Sequence, residues 1–218
     1  MARTFALDQN AAREANSGGK RIQETGKYSG VIVAAFYEKN QKGTESMNIM
    51  FKADNGQESG PLSIYTYNGS GEALSGYKLV NAIMTCCRVK TLTVKQMPVA
   101  LYDYDSQSVV TKPKECYPEL SGKRIGLVLQ QEEYQKTRGA GGIGERMVIA
   151  APFEAGTELM AGEILDKKAH PEQLGSFMSY IAKSPVRKLK QNSNSHDAAY
   201  DFQAPPAGDF DDDIPWDN

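Results

Sequence analysis

The stretches "GVIVAAFYEKN" (residues 30–40), "ESMNIMFKADNG" (45–56) and "PLSIYTYNG" (61–69) decide the fold. Each is apolar or alternating and is punctuated by Gly, Asn or Asp, which predicts three strands joined as a meander. A strand turns successive side chains to opposite faces. In the second stretch Met47, Ile49 and Phe51 therefore share a face opposite Asn48, Met50 and Lys52. In the third, Leu62, Ile64 and Thr66 oppose Ser63, Tyr65 and Tyr67. One face is expected to be core and the other to carry aromatics among polar groups. Phe36 has the parity of Ile32 and Phe51 that of Ile49, which assigns both rings to the core.

Outward from this meander, "GEALSGYKLVNAIMTCCRVK" (71–90) places Tyr77, Val80, Ile83, Met84 and Cys87 at helical spacing on one face. Residues 91–122 hold short strand-like pieces broken by Pro98, Pro113 and Pro118 and read as an inserted excursion. "KRIGLVLQQEEYQ" (123–135) and "ERMVIAAPFEAG" (145–156) supply two more strands through the loop "KTRGAGGIG" (136–144). A last helix starts near Pro171, with Leu174, Phe177, Met178 and Ile181 at i, i+3, i+4 and i+7. Three strands, a helix and two strands are the order of the OB-fold, a five-stranded, partly open Greek-key barrel. The expected class is thus mainly β: an OB-fold with insertions, a helix between strands 3 and 4, a C-terminal helix and a disordered acidic tail. A doubly wound α/β fold would need crossover helices between successive strands, and the first three strands are joined by turns too short for that.

The chain has 218 residues, 40% hydrophobic and 24% charged, enough for one sizeable domain with appendages. No apolar run is long enough for a transmembrane helix, and the N-terminus lacks the apolar core of a secretory signal, so a cytoplasmic protein is expected. Residues 1–25 read as a polar arm with little core, 26–190 as the domain, 191–208 as a disordered linker and 209–218 as an acidic tip. The net charge of -2 conceals an asymmetry. Seven of the 27 acids lie in residues 196–218, which hold no Lys or Arg, so 20 acids face 25 bases in residues 1–195. A body of about +5 with a tail of about -7 points to polyanion binding. Cys86, Cys87 and Cys116 suit neither a disulfide framework nor a metal-ligand spacing and read as packing thiols.

Candidate chemistry is sparse. "GAGGIG" (139–144) matches G-x-G-x-x-G, but a strand follows it where dinucleotide binding requires a helix. It reads as a hairpin loop whose Lys136, Arg138 and Arg146 could close over a nucleic-acid strand. His196 falls in the linker and His170 beside Pro171, so neither belongs to a recognisable catalytic set. No metal or cofactor site is expected. What remains is aromatic residues beside cations: Lys27 and Tyr28, Tyr37 and Lys39, Lys52, Tyr65 and Tyr67, Lys123 and Arg124, and Tyr134. Bases of single strands stack on rings while Lys and Arg track the phosphates. For Tyr65 and Tyr67 stacking and core packing are both open. The basic run "KSPVRKLK" (183–190) is either a solvated helix end or a further contact.

The last stretch, "GDFDDDIPWDN" (208–218), joins Asp209, Asp211, Asp212 and Asp213 to Phe210 and to Ile214, Pro215 and Trp216. "DFDDDIPW" resembles the acidic C-terminal tip of bacterial single-stranded DNA-binding proteins. "GTESMNIMFKADNG" (43–56) and "YPELSGKRIGLVLQQEEY" (117–134) are more loosely similar to single-stranded DNA-binding proteins of bacteriophages. The resemblance implies a non-catalytic protein of the bacterial host cytoplasm. It would coat single-stranded DNA during replication, recombination and repair, and recruit partner proteins through Asp209 to Trp216. A homodimer is an open alternative. In the family the hydrophobic end enters a partner's pocket and the aspartates meet a basic rim. Trp216 stands here where Phe is usual, with Asp217 and Asn218 beyond it. The rival expectations are a metal-dependent nuclease or recombination enzyme, and an adaptor whose body binds protein.

Overall fold

The computed structural model describes residues 6, 7, 9, 21–103, 106–136 and 141–189. Most of the N-terminal arm, Arg138, the linker 191–208 and the tip 209–218 lie outside the described residues. The chain is mainly β, with strands β1 (Gly26–Lys39), β2 (Glu45–Ala53) and β3 (Leu62–Tyr67) followed by helix α1 (Ser75–Cys86). Then come β4 (Lys95–Asp103), β5 (Ser108–Cys116), β6 (Arg124–Gln135) and β7 (Ile143–Phe153). Helices α2 (Ala161–Leu165) and α3 (Gln173–Lys183) and the short β8 (Val186–Arg187) complete it. One sheet runs β3-β2-β1-β5-β4, and β6 joins it at β1 and carries β7 and β8. Among the described strands the β6–β8 pairing is parallel and the other pairings are antiparallel.

The meander forms for the reason its pattern gives. Leu62, Ile64, Met47, Ile49 and Phe51 are all buried in the main core, while Tyr65, paired with Ser46, stays half-buried on the other face. The β1–β2 turn is closed by Asn40, whose side-chain oxygen accepts from the Lys42 and Thr44 amides at 2.9 Å each. Gly43 supplies the positive φ of +83° that this turn requires. The packed body also begins earlier than the polar composition of residues 1–25 implies. Ile22 is buried in the main core, and its amide donates to the Glu58 carbonyl at 3.0 Å.

Strand β1 breaks its own alternation. Ile32 pairs with Phe51 and Ala34 with Met50, so Val33 is an extra residue, a β-bulge. Beyond it the parity flips: Ala35 joins Ile32 in the main core and Phe36 turns to the opposite face. Phe36 is buried as expected, but not on the face of Ile32. It packs with Val99 and Cys116, beneath a hairpin made by β4 and β5. The excursion at 91–122 is therefore a structural element that covers part of the outer sheet face. It meets β1 at a single register pair, Phe36 with Cys116.

Helix α1 buries Gly76, Val80, Ala82, Ile83 and Cys86, so Tyr77, expected on this face, is instead 45% exposed. The helix lies close on β3 because residue 76 is Gly: a Cβ there would stand 2.0 Å from the Tyr65 carbonyl oxygen. Helix α3 buries Leu174 and Ile181 and sets Phe177 and Met178 against Val128, Ala151, Phe153 and Met160, forming a second cluster. The short α2 has no counterpart among the sequence expectations. It is held by Glu163, whose fully buried carboxylate accepts from the Met160 amide at 2.8 Å and the Glu172 and Gln173 amides at 2.6 and 3.0 Å. The three cysteines are free and buried. Burial pushes the Cys86 and Cys87 thiols up to about 12. Among the described residues no helix is long and apolar enough to cross a membrane.

Candidate nucleic-acid interface

The outer face of the meander carries a trough in two sections. The first, about 600 Å³, lies between the β1–β2 end, β3 and the β4–β5 hairpin, and is lined by Tyr37, Lys39, Ser63, Tyr65, Gln96 and Lys114 among others. The second, about 580 Å³, lies between the start of β3 and the β6–β7 hairpin, with Arg21, Ser63, Gln131, Tyr134 and Arg146 on its walls. Ser63 lines both, so the two sections neighbour each other at β3. Ser63 and Tyr65 reach this face because strand alternation sends Leu62 and Ile64 the other way, into the core, whereas a register shift between Tyr65 and Tyr67 turns Tyr67, expected beside them, to the opposite face.

The structure distributes the sequence-derived candidates unevenly. Tyr37, Lys39 and Tyr65 share the first section, and Tyr134 and Arg146 the second. Burial, and then the Glu45 carboxylate, pushes the Tyr37 hydroxyl above its ordinary pKa. Tyr67 leans on Tyr77, ring centroids 5.8 Å apart at 58°. Tyr28 packs against the main core and donates its hydroxyl to the Glu24 carbonyl at 2.8 Å, so its ring is a packing element. Lys136 is exposed at the end of β6, its amide bonded to the Gly142 carbonyl at 2.9 Å. Lys27, Lys52, Lys123 and Arg124 are exposed but line neither section.

Many of these cations face carboxylates. Lys27 pairs with Glu158 at 2.5 Å, Lys39 with Glu45 at 3.3 Å, Lys52 with Glu58 at 3.0 Å and Arg124 with Asp54 at 2.8 Å. Such solvent-exposed pairs contribute about 0–1 kcal/mol each, so a phosphate can replace the carboxylate at small cost. Arg146 is better fixed. Its guanidinium carbon sits 5.5 Å from the Tyr134 ring centre, and its nitrogens donate to Glu132 at 2.8 and 2.5 Å. Glu132 also accepts from Arg187 at 3.3 Å, tying β8 to the same strand.

Sequence reasoning missed a polar floor beneath the first section. Asn48 is buried, accepts the Ser63 hydroxyl proton at 2.6 Å, and donates to Glu38 at 3.2 Å and Ser46 at 3.3 Å. The other Glu38 oxygen accepts from Lys114 at 2.5 Å. Gln96, Lys114 and Arg21 were also missed, since the first two lie in the supposed excursion and Arg21 in the polar arm. The alternation in "TKPKE" (111–115) is the one local sign that Lys112 and Lys114 share a strand face.

Among the described residues no group of three or more His, Cys, Asp or Glu is placed to hold a metal ion. No protein-family model matches the chain, and no curated protein matches its sequence.

Proposed function

We propose that this chain is a non-catalytic single-stranded DNA-binding protein that holds unpaired nucleotides along the trough across β3. The observation that carries the reading is the gathering of Tyr37, Tyr65, Lys39 and Lys114 around the first section and of Tyr134 and Arg146 around the second, with Ser63 common to both. Rings that accept any base and cations that meet any phosphate suit binding without sequence preference.

We read the fold as an OB barrel with an insertion. What supports this is the β1-β2-β3 meander, the antiparallel pairing of the first half of β1 with β6, and the β6–β7 hairpin that brings β7 alongside β3. In this reading α1 is the helix after the third strand, and the β4–β5 hairpin is the inserted element. The tip at 209–218 is assigned partner recruitment on its sequence alone: its carboxylates attract basic surfaces, and Ile214, Pro215 and Trp216 offer an apolar anchor.

Titrating the full chain with a dT oligonucleotide across a salt series, read by intrinsic Tyr and Trp emission, tests the reading. Binding is expected to weaken with salt by about 0.7 in log K per phosphate neutralised, and to exceed binding to duplex of the same length. Preference for duplex, or magnesium-dependent degradation of the oligonucleotide, overturns it.

A further inference from the structure

The β4–β5 hairpin touches the rest of the sheet through little backbone pairing, so side chains decide how it sits. Phe36, Val99 and Cys116 are buried together and anchor its base. From this base Lys114 reaches the edge of the trough, its ammonium 5.6 Å from the centre of the Phe36 ring and 2.5 Å from Glu38. The two partners are unequal. Glu38 is tied to the floor by Asn48, itself held by Ser63 and Ser46, whereas Lys114 belongs to the covering hairpin. The pair therefore bridges floor and cover, and it stays partly open to water, with side-chain exposures of 25% and 44%.

We propose that the β4–β5 hairpin is the second jaw of the trough and that Glu38 and Lys114 form its latch, Lys114 passing from the Glu38 carboxylate to a phosphate of the bound strand. This rests on the single-stranded DNA reading, in which Lys114 is already a trough cation, and adds to it the exchange of Lys114 between two anions and a movable wall. The exchange needs no new charge: an ammonium leaves one anion for another, and Glu38 keeps its bond from Asn48. The carboxylate competes with the ligand for the same cation, so removing it favours binding only while Lys114 is present.

A double-mutant cycle on the full chain, titrated with dT oligonucleotide at several salt concentrations, reads this directly. Glu38→Gln keeps an acceptor for Asn48 and is expected to tighten binding about threefold. Lys114→Gln is expected to weaken it about three- to fivefold and to lower the salt slope by about 0.7, the share of one phosphate. In the double variant the gain from Glu38→Gln should vanish. Lys114→Arg, which keeps the charge, should retain most of the affinity, and the thermal midpoint of every variant reports whether the hairpin base stays packed. A native-like Lys114→Gln, or a Glu38→Gln gain that persists without Lys114, overturns the latch while leaving the binding reading standing. Failure of the unmodified chain to bind the oligonucleotide overturns both.

Discussion

At the scale of single residues, position on the sheet separates tyrosines that the sequence leaves equivalent. Tyr28 is bonded to the Glu24 carbonyl and packed on the core, and burial followed by the Glu24 charge holds its hydroxyl above the ordinary pKa. Tyr65 faces the trough beside Ser63 and Tyr37. Tyr65→Ala is therefore expected to weaken oligonucleotide binding by about 1–3 kcal/mol, the stacking contribution of one base, with little change in salt slope because no cation is lost. Tyr28→Phe is expected to leave affinity unchanged. Equal losses in both variants would show that general damage, and not stacking, is being measured. The cationic residues divide similarly, since Arg146 is fixed by Glu132 and Tyr134 whereas Lys52 and Arg124 make exposed pairs away from the trough.

At the scale of elements, the C-terminal helices depend on one acid. Burial pushes the Glu163 carboxyl up, but amide donors from Met160, Glu172 and Gln173, together with Lys168, pull harder and leave it below its ordinary pKa. A depressed folded pKa means stabilisation that is complete above the unfolded glutamate value and lost as pH falls through the folded one. Wild-type stability is thus expected to decline with acid below the ordinary carboxylate range, and Glu163→Gln should flatten that part of the profile in denaturant melts. Glu163→Ala leaves the buried Met160 amide and the part-buried Glu172 and Gln173 amides without this acceptor and is expected to cost about 1–3 kcal/mol. An unchanged melting midpoint in Glu163→Ala would contradict this capping role. The β4–β5 hairpin illustrates the opposite case. Its prolines, Pro98 and Pro113, face each other in register. They broke the sequence pattern without breaking the strands, since β4 lies at an edge of the sheet and β5 pairs with β1 only at Cys116, so no further strand needs either missing amide donor.

At the scale of the whole molecule, the described chain ends beside the trough. β8 pairs with Gln131 and Glu132, and the Leu189 amide donates to Glu133 at 3.4 Å, next along β6 to Tyr134. The tip's four clustered aspartates, Asp209 and Asp211 to Asp213, are opposite in charge to the trough's cations and are expected to compete with DNA for them. Deleting residues 209–218 is expected to strengthen oligonucleotide binding at low salt and to change little at high salt, where such attraction is screened. No difference at either salt would remove self-competition from the account. The sequence by itself determined the three-strand meander, the two later strands and α3, because alternation and helical spacing are local properties of the backbone. Only the tertiary structure decided that Val33 bulges and turns Phe36 over, that the residues around Lys114 fold back across the sheet, and that Asn48, Glu38 and Ser63 form one floor. Those outcomes come from contacts between segments far apart in the chain, such as Glu38 with Lys114, and no window of sequence carries the distance between them.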